Sequence, residues 1–212
     1  MDESGKQHFA FDLDDTLTDS YQFNQQMFVE TFIPYLDIKQ SETDGYLREL
    51  HLNQKGTSMI SQFSTAVKHF SLKINPADLV RENENLHLKN FDKINIFDAA
   101  EDVIKVIKAN GKRISLFSNR QMGSLDKLLT KHHLKEYFDN VISCGDAGHE
   151  KPDPYCLIDL IDKSGEPKEN FIFFGDSKTD SQFATAAGID FLIIDHYINQ
   201  KKFYRLILES FL

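Results

Sequence analysis

The chain has 212 residues, enough for one large domain or for a core that carries a smaller insert. Its formal net charge of -9 excludes the basic footprint that nucleic-acid backbones require, so an anionic ligand must be attracted locally. Two cysteines, Cys144 and Cys156, are too few for a disulfide framework and lack metal-ligand spacing. MDESGKQH has no apolar signal-peptide core and no run is long enough to span a membrane, so the expected location is the cytoplasm.

FAFDLDDTLTDS, residues 9–20, opens as a short apolar run broken by carboxylates, the pattern of a buried strand that delivers acids to its carboxyl end. Asp12 and Asp14 are two apart, so on a continuing strand they share a direction while Leu13 packs on the other side. From Ser20 to about Asp92 the pattern is helical: Phe23, Met27, Phe28, Phe32 and Ile33 recur at helical intervals, and so do Met59, Ile60, Phe63, Ala66, Val67 and Phe70. Pro34 and Gly45 are expected breaks, and Asn75-Pro76 is a helix start. Asp98 to Glu101 reads as a capping box, with Gly111 stopping the helix that follows.

Beyond Gly111 strand and helix alternate. Strands are expected at 113–117 (RISLF), 140–143 (NVIS), 171–174 (FIFF) and 189–194 (IDFLII). Helices are expected through Leu125, Leu128 and Leu129, around 155–161, and over 201–212. The fold class is therefore α/β, a Rossmann-like parallel sheet with an inserted all-helical domain; residues 1–17 and 93–212 form the core and 18–92 the insert.

Parallel strands end on one edge of the sheet, where open α/β sheets bind ligands. The polar residues that follow each strand should therefore meet: Asp12 and Asp14, Ser118 and Asn119, Lys151, then Asp176 and Asp180. Acids so gathered repel by roughly 4 kcal/mol per pair about 4 Å apart at an effective dielectric near 20, which calls for a cation among them. Carboxylates without clustered His or Cys favour a hard divalent ion such as Mg²⁺, with Asp12 and Asp176 as direct ligands and a main-chain carbonyl from Asp14. In phosphoryl transfer, Asp12 is the candidate nucleophile, Asp14 the acid-base and Lys151 the compact cation on the phosphoryl group.

The same stretches carry a resemblance. DLDDT, LFSN, KPDP and FFGDSKTD occur in the order and spacing of the motifs of the haloacid dehalogenase superfamily, and DSQFATAAGI continues the last one. The resemblance implies a phosphate-binding hydroxyl at Ser118, a phosphate and nucleophile partner at Lys151, a Mg²⁺ ligand at Asp176, a supporting carboxylate at Asp180, and Thr16 orienting Asp14. It likens the insert to a C1 cap that sorts substrates, with Arg48, His51, Lys55 and Gly56 the first stretch to inspect. The expected activity is hydrolysis of a small phosphorylated metabolite through an aspartyl-phosphate, as in phosphoglycolate phosphatases. Three alternatives stand beside it. A phosphomutase commonly has His where this chain has Asn24, and a phosphonate hydrolase needs a Schiff-base lysine, for which Lys55 is the residue to weigh. The third is a catalytically idle phospholigand-binding module. Asp15 stands where the family often has Gly, and Phe97-Asp98-Ala99 replaces a common Pro-Gly; neither is expected to touch the chemistry.

Overall fold

The computed structural model describes residues 5–194 together with residues 205, 207, 209 and 210. Five parallel strands form the main sheet in the order β5-β4-β1-β6-β7: β1 (His8–Phe11), β4 (Arg113–Ser118), β5 (Asn140–Ser143), β6 (Phe171–Gly175) and β7 (Asp190–Ile193). The chain winds outward from β1 in both directions, so β1 lies at the topological switch point, where such sheets open a crevice.

The strands obey the period of two. Phe9, Phe11, Ile114, Leu116, Ile172 and Phe174 pack on one face, under α5 (Asp98–Ala109) and α6 (Met122–Lys131). Ala10, Phe117, Phe171 and Phe173 pack on the other, under α7 (Tyr155–Ser164) and α8 (Lys178–Ala187). Of the helix expected over 201–212, the described residues are helical and Ile207 is buried in the first cluster; the rest lies outside the described residues.

Between β1 and α5 run four helices, α1 (Tyr21–Glu30), α2 (Ser41–Asn53), α3 (Met59–His69) and α4 (Pro76–Asn90). They close on an apolar cluster of their own, with Phe28, Phe32, Leu47, Phe63 and Leu79 fully buried. Asn75 caps α4 by accepting from Ala77 N at 3.0 Å, with Pro76 in the first turn, as the sequence indicates. The two chain segments that enter and leave this insert pair as a short antiparallel ribbon, β2 (Thr18–Asp19) with β3 (Asn95–Ile96), which the sequence did not suggest.

Two local expectations are corrected. Gly45 lies inside α2, where the helix continues on either side of it. Asp98 is the first helical residue of α5 rather than its cap: Phe97 holds the cap position, with no side-chain capping bond, and its N–H donates to Leu17 O.

Gly175, the last residue of β6, ties the sheet to its carboxyl edge. A Cβ there would overlap the Asp180 Cβ and lie 2.6 Å from its Cγ. Gly175→Ala is expected to lower stability by about 1–3 kcal/mol, the scale of core overpacking, and to displace Asp180; urea unfolding measures the first and loss of the Asp180–Lys151 contact by crystallography the second.

Candidate active site

The site begins where β1 stops pairing. Asp12 N still donates to Phe174 O at 2.9 Å, after which Thr16, Leu17 and Thr18 all turn their N–H groups back onto Leu13 O. This turn places Asp15 in the left-handed region at φ 61, a conformation glycine adopts freely and Asp tolerates. The Asp15 side chain is not idle there. It accepts from Ser20 N and Oγ at 3.2 Å and pairs with Lys55 of the insert at 2.9 Å.

The expected convergence is present. Lys151 Nζ lies 2.5 Å from Asp12 Oδ1 and 2.7 Å from Asp180 Oδ1, with all three side chains nearly inaccessible. Asp180 is fixed from behind by the N-terminus of α8. There Ser177 and Asp180 form a reciprocal capping box in which Asp180 Oδ2 accepts from Ser177 N at 3.1 Å and from its Oγ at 2.5 Å. The same residues start a helix and aim a carboxylate. Lys151 is held through its backbone by Asn119, whose Oδ1 accepts from Lys151 N at 2.7 Å and whose Nδ2 donates to Lys151 O at 3.1 Å. Asn119 lines the cavity, and its amide is taken up by the main chain of Lys151 and, at 3.4 Å, by Gly56 O.

Thr16 corrects an expectation. Its hydroxyl donates to Asp12 Oδ2 at 3.1 Å, and it is fully buried, so it orients Asp12 rather than Asp14. Asp14 is held by a residue the motifs did not single out. Arg120, two residues past the end of β4, donates from Nη2 to Asp14 Oδ1 at 2.6 Å and from Nε to Oδ2 at 3.1 Å. Asn24 Nδ2 adds a bond at 3.0 Å, and Asn24 Oδ1 accepts from Arg120 at 3.0 Å and lies 3.1 Å from His87 Nε2 on α4. Ser118 Oγ accepts from Arg120 N at 3.0 Å. An arginine directly after the expected Ser-Asn pair was the available signal.

Of the four insert residues singled out, His51, Lys55 and Gly56 line the cavity; Arg48 instead pairs with Asp44 and donates to Gln25 and Gln26. Lys55 Nζ bridges Asp15 and, at 2.5 Å, Asp176. Gly56 permits this approach: at φ +79, a Cβ there would sit 2.8 Å from Ser177 Oγ and 2.9 Å from Thr179 Oγ1. Asp15 is thereby linked through Lys55 to Asp176. Elsewhere Cys144 and Cys156 are free and buried, His132 is 2.9 Å from Ile94 O, and His149 pairs with Asp153.

Five carboxylates, Asp12, Asp14, Asp15, Asp176 and Asp180, are thus met by three cations, Lys55, Arg120 and Lys151. Acids therefore outnumber cations, and Glu84 and Glu150 line the same cavity, a surplus whose sign favours a bound cation. Asp12, Asp176 and Asp180 each offer an oxygen within 4.8 Å of the others, an all-oxygen set suited to a hard cation. The Asp14 carboxylate is outside that set. Burial pushes the Asp12 carboxyl up, Lys151 pulls it down, and the charges of Asp180 and Asp176 push it up again. Burial also raises Asp176, to about 6 against the pull of Lys55. For Asp14, burial is outweighed by Arg120 and Asn24, which hold it well below the usual carboxylate range. Burial and the Arg120 charge lower His87 to about 3, leaving it neutral. The cavity among these groups is about 180 Å³.

A buried acid cluster fit for a hard ion, at the carboxyl edge of a parallel α/β sheet and fronted by a lysine, is the kind of site at which enzymes of phosphoryl chemistry work. The chain belongs to the haloacid dehalogenase-like hydrolase family, which it matches over residues 9–194. It is 25% identical over 189 residues to a phosphoglycolate phosphatase of Aliivibrio fischeri, spanning 84% of this chain and 79% of that one. A phosphoglycolate phosphatase of Pseudomonas aeruginosa is 31% identical over 94 residues, 44% of this chain and 35% of its own length. Among solved structures, a haloacid dehalogenase-like hydrolase from Bacteroides fragilis superposes with TM-score 0.77 at 22% identity, covering 94% of this chain and 93% of that one. CbbY from Rhodobacter sphaeroides, in complex with phosphate, superposes with TM-score 0.72 at 20% identity, covering 89% and 85%. The protein is an enzyme, a phosphoric monoester hydrolase of this family.

Removing the central cation tests the electrostatics. Lys151→Met leaves Asp12 and Asp180 buried without a partner and is expected to destabilise the metal-free protein by about 3–5 kcal/mol at pH 7. Burial already raises Asp12 against the pull of Lys151, and loss of that pull raises it further, so the variant takes up this proton at higher pH than the wild type and the deficit shrinks from pH 7 to pH 5. Urea unfolding at pH 7 and pH 5 reads both effects; a deficit that grows with acidification contradicts this account.

Proposed function

We propose that the protein is a Mg²⁺-dependent phosphatase that hydrolyses a small phosphomonoester through an aspartyl-phosphate on Asp12. In this reading residues 1–17 and 93–212 are the core and residues 18–92 a cap that closes over it. The observation that carries the reading is the setting of Asp12, with one oxygen bonded to Lys151, the other to Thr16, and Asp176 and Asp180 close enough to share an ion. The small cavity supports a small substrate, since pockets for drug-sized ligands run to roughly 300–1,000 Å³. The relatives named phosphoglycolate phosphatase support the same class.

Asp12, Asp176 and the main-chain carbonyl of Asp14 would hold the Mg²⁺, with Asp180 behind them; when bound, the ion neutralises the acids and polarises the phosphoryl oxygens. Lys151 neutralises the other side of the group, and Ser118, with Asn119 beside it, faces the same cavity. The Asp12 oxygen attacks phosphorus in line, the phosphorus–ester oxygen bond breaks, and Asp14 gives its proton to the departing alkoxide. Water then attacks the phosphorus of the aspartyl-phosphate while Asp14 takes its proton, and the bond to Asp12 breaks to release phosphate. Arg120 and Asn24 hold Asp14 as the carboxylate that the second half requires, so the first half requires that clasp to loosen. The loop at 54–58, docked through Lys55 and Gly56, excludes water from the reacting group.

Two alternatives lose support from particular contacts. A Schiff base needs an uncharged amine, whereas the Lys55 ammonium, opposed by burial, is held charged by Asp176 and Asp15, against a phosphonate hydrolase. Asn24, in the place of a mutase histidine, has its amide on Asp14.

Phosphate release from p-nitrophenyl phosphate or a metabolite panel, dependent on Mg²⁺, tests the reading. Asp12→Asn is expected to abolish turnover, and Asp14→Asn to lower it at least about a hundredfold while leaving Mg²⁺ binding largely intact. Phosphate release unchanged in either variant would overturn the assignment.

Metal binding should depend on pH in a stated direction. A proton on Asp176 or Asp12 competes with the ion, and burial raises both carboxyls, Asp176 to about 6, so Mg²⁺ affinity should be weaker at pH 5 than at pH 7 by at least about tenfold. Calorimetric titration at the two values reads this, and equal affinities would remove Asp176 from the ligand set.

A further inference from the structure

Of the three cations that meet the acids of the site, Lys55 alone comes from the insert, and its two partners differ in kind. Asp176, whose Oδ2 is 2.5 Å from Nζ, belongs to the trio of carboxylates placed to share a hard ion; Asp15, at 2.9 Å, stands outside that trio. The residue after Lys55 docks on the same ground. Gly56 approaches Ser177 and Thr179, just beyond Asp176, so closely that a Cβ would sit 2.8 and 2.9 Å from their hydroxyls, and its carbonyl accepts from Asn119 Nδ2 at 3.4 Å. The loop is braced from behind as well. Gln62 Nε2 donates to Gln54 O at 3.3 Å and to Thr57 O at 3.2 Å, and Thr57 Oγ1 donates to Gln54 O at 2.7 Å, so the shape of the segment that carries Lys55 is set within the insert.

An ammonium and a divalent ion on one carboxylate repel each other and divide its charge between them. Each therefore weakens the other, by the same factor in both directions. Lys55 has a second anchor at Asp15, so it can yield Asp176 and remain at the site. It also lines the cavity that holds Asp12, which gives an ammonium released from Asp176 the oxygens of a phosphoryl group as its next acceptors. We infer that Lys55 is a positioning residue through which the ion governs the docking of the insert. Mg²⁺ takes Asp176 from the ammonium, the 54–58 loop loosens from the core with Asp15 as its tether, and the phosphoryl anion draws Lys55 back. The ion then binds before the ester, and the loop closes only on a site that holds both.

The inference rests on the place of Asp176 in the Mg²⁺ site of the phosphatase reading, and two measurements keep the two apart. Calorimetry with Mg²⁺ alone reads the site, and hydrogen exchange followed by mass spectrometry over residues 53–60 reads the loop. In the wild type, saturating Mg²⁺ is expected to speed exchange there about threefold or more, as local opening does, and inorganic phosphate added to the Mg²⁺-loaded protein is expected to slow it again. Lys55→Met is expected to bind Mg²⁺ about fivefold or more tighter, the low end of typical couplings between sites, and to exchange fast with or without the ion. Lys55→Arg should recover part of the response to Mg²⁺, which a residue that only fills space would not do. Exchange that ignores Mg²⁺ or slows with it, a loop that phosphate fails to slow, or Mg²⁺ affinity in Lys55→Met no higher than in the wild type overturns the inference and leaves the Mg²⁺ site standing. Absence of Mg²⁺ binding to the wild type overturns the metal-dependent reading and this inference with it. Should Lys55→Met fail to fold, the response of the wild-type loop to Mg²⁺ still decides.

Discussion

One buried ammonium group holds this site together. Lys151 stands between Asp12 and Asp180, within 2.5 and 2.7 Å, where water cannot screen any of the three charges. Carboxylates delivered by neighbouring strand ends would otherwise repel one another in a medium of low dielectric. Such an arrangement is retained at some expense in stability, because desolvating a lysine and two acids is unfavourable unless every partner is in place. Asn119 grips the Lys151 main chain from one side, and the α8 capping box grips Asp180 from the other. Backbone and cap contacts thus locate the charges before any ligand arrives, and the remaining excess of acid is what a divalent ion could balance.

Around that centre the insert contributes more than a cover. Lys55 reaches from the α2–α3 loop to Asp15 and Asp176, and Asn24 and His87 join Arg120 in surrounding Asp14. The nucleophile candidate is therefore held by groups of the sheet, while the acid-base candidate is shared between sheet and insert. The β2–β3 ribbon gathers the two connecting segments into one paired strip, so the insert joins the core through a narrow attachment.

Asp15 shows how one substitution changes a local solution. The turn after β1 demands a positive φ, which explains a preference for glycine at that position on conformational grounds alone. Asp satisfies the same demand at some strain and adds a carboxylate, and the carboxylate meets Lys55. The two residues are best understood together, because without Lys55 the Asp15 carboxylate would lose its cation at the edge of the cavity.

Much of this was legible in the sequence. Strand positions followed from apolar runs with a period of two, and the meeting of Asp12, Lys151, Asp176 and Asp180 followed from the rule that parallel strands share a carboxyl edge, because chain direction alone fixes that edge. What sequence spacing could not decide was which charge faces which. Thr16 turned to Asp12 and not Asp14 through the tight turn on Leu13, whereas Asn119 turned to a main chain and Arg120 and Lys55 to the acids across the cavity, pairings that depend on distances between segments up to about a hundred residues apart. Local pattern sets the period and ends of an element, and so the sequence by itself determined the sheet and its acidic edge. Only tertiary packing, within the core for Lys151 and Arg120 and of insert on core for Lys55 and Asn24, decided the partners of those acids.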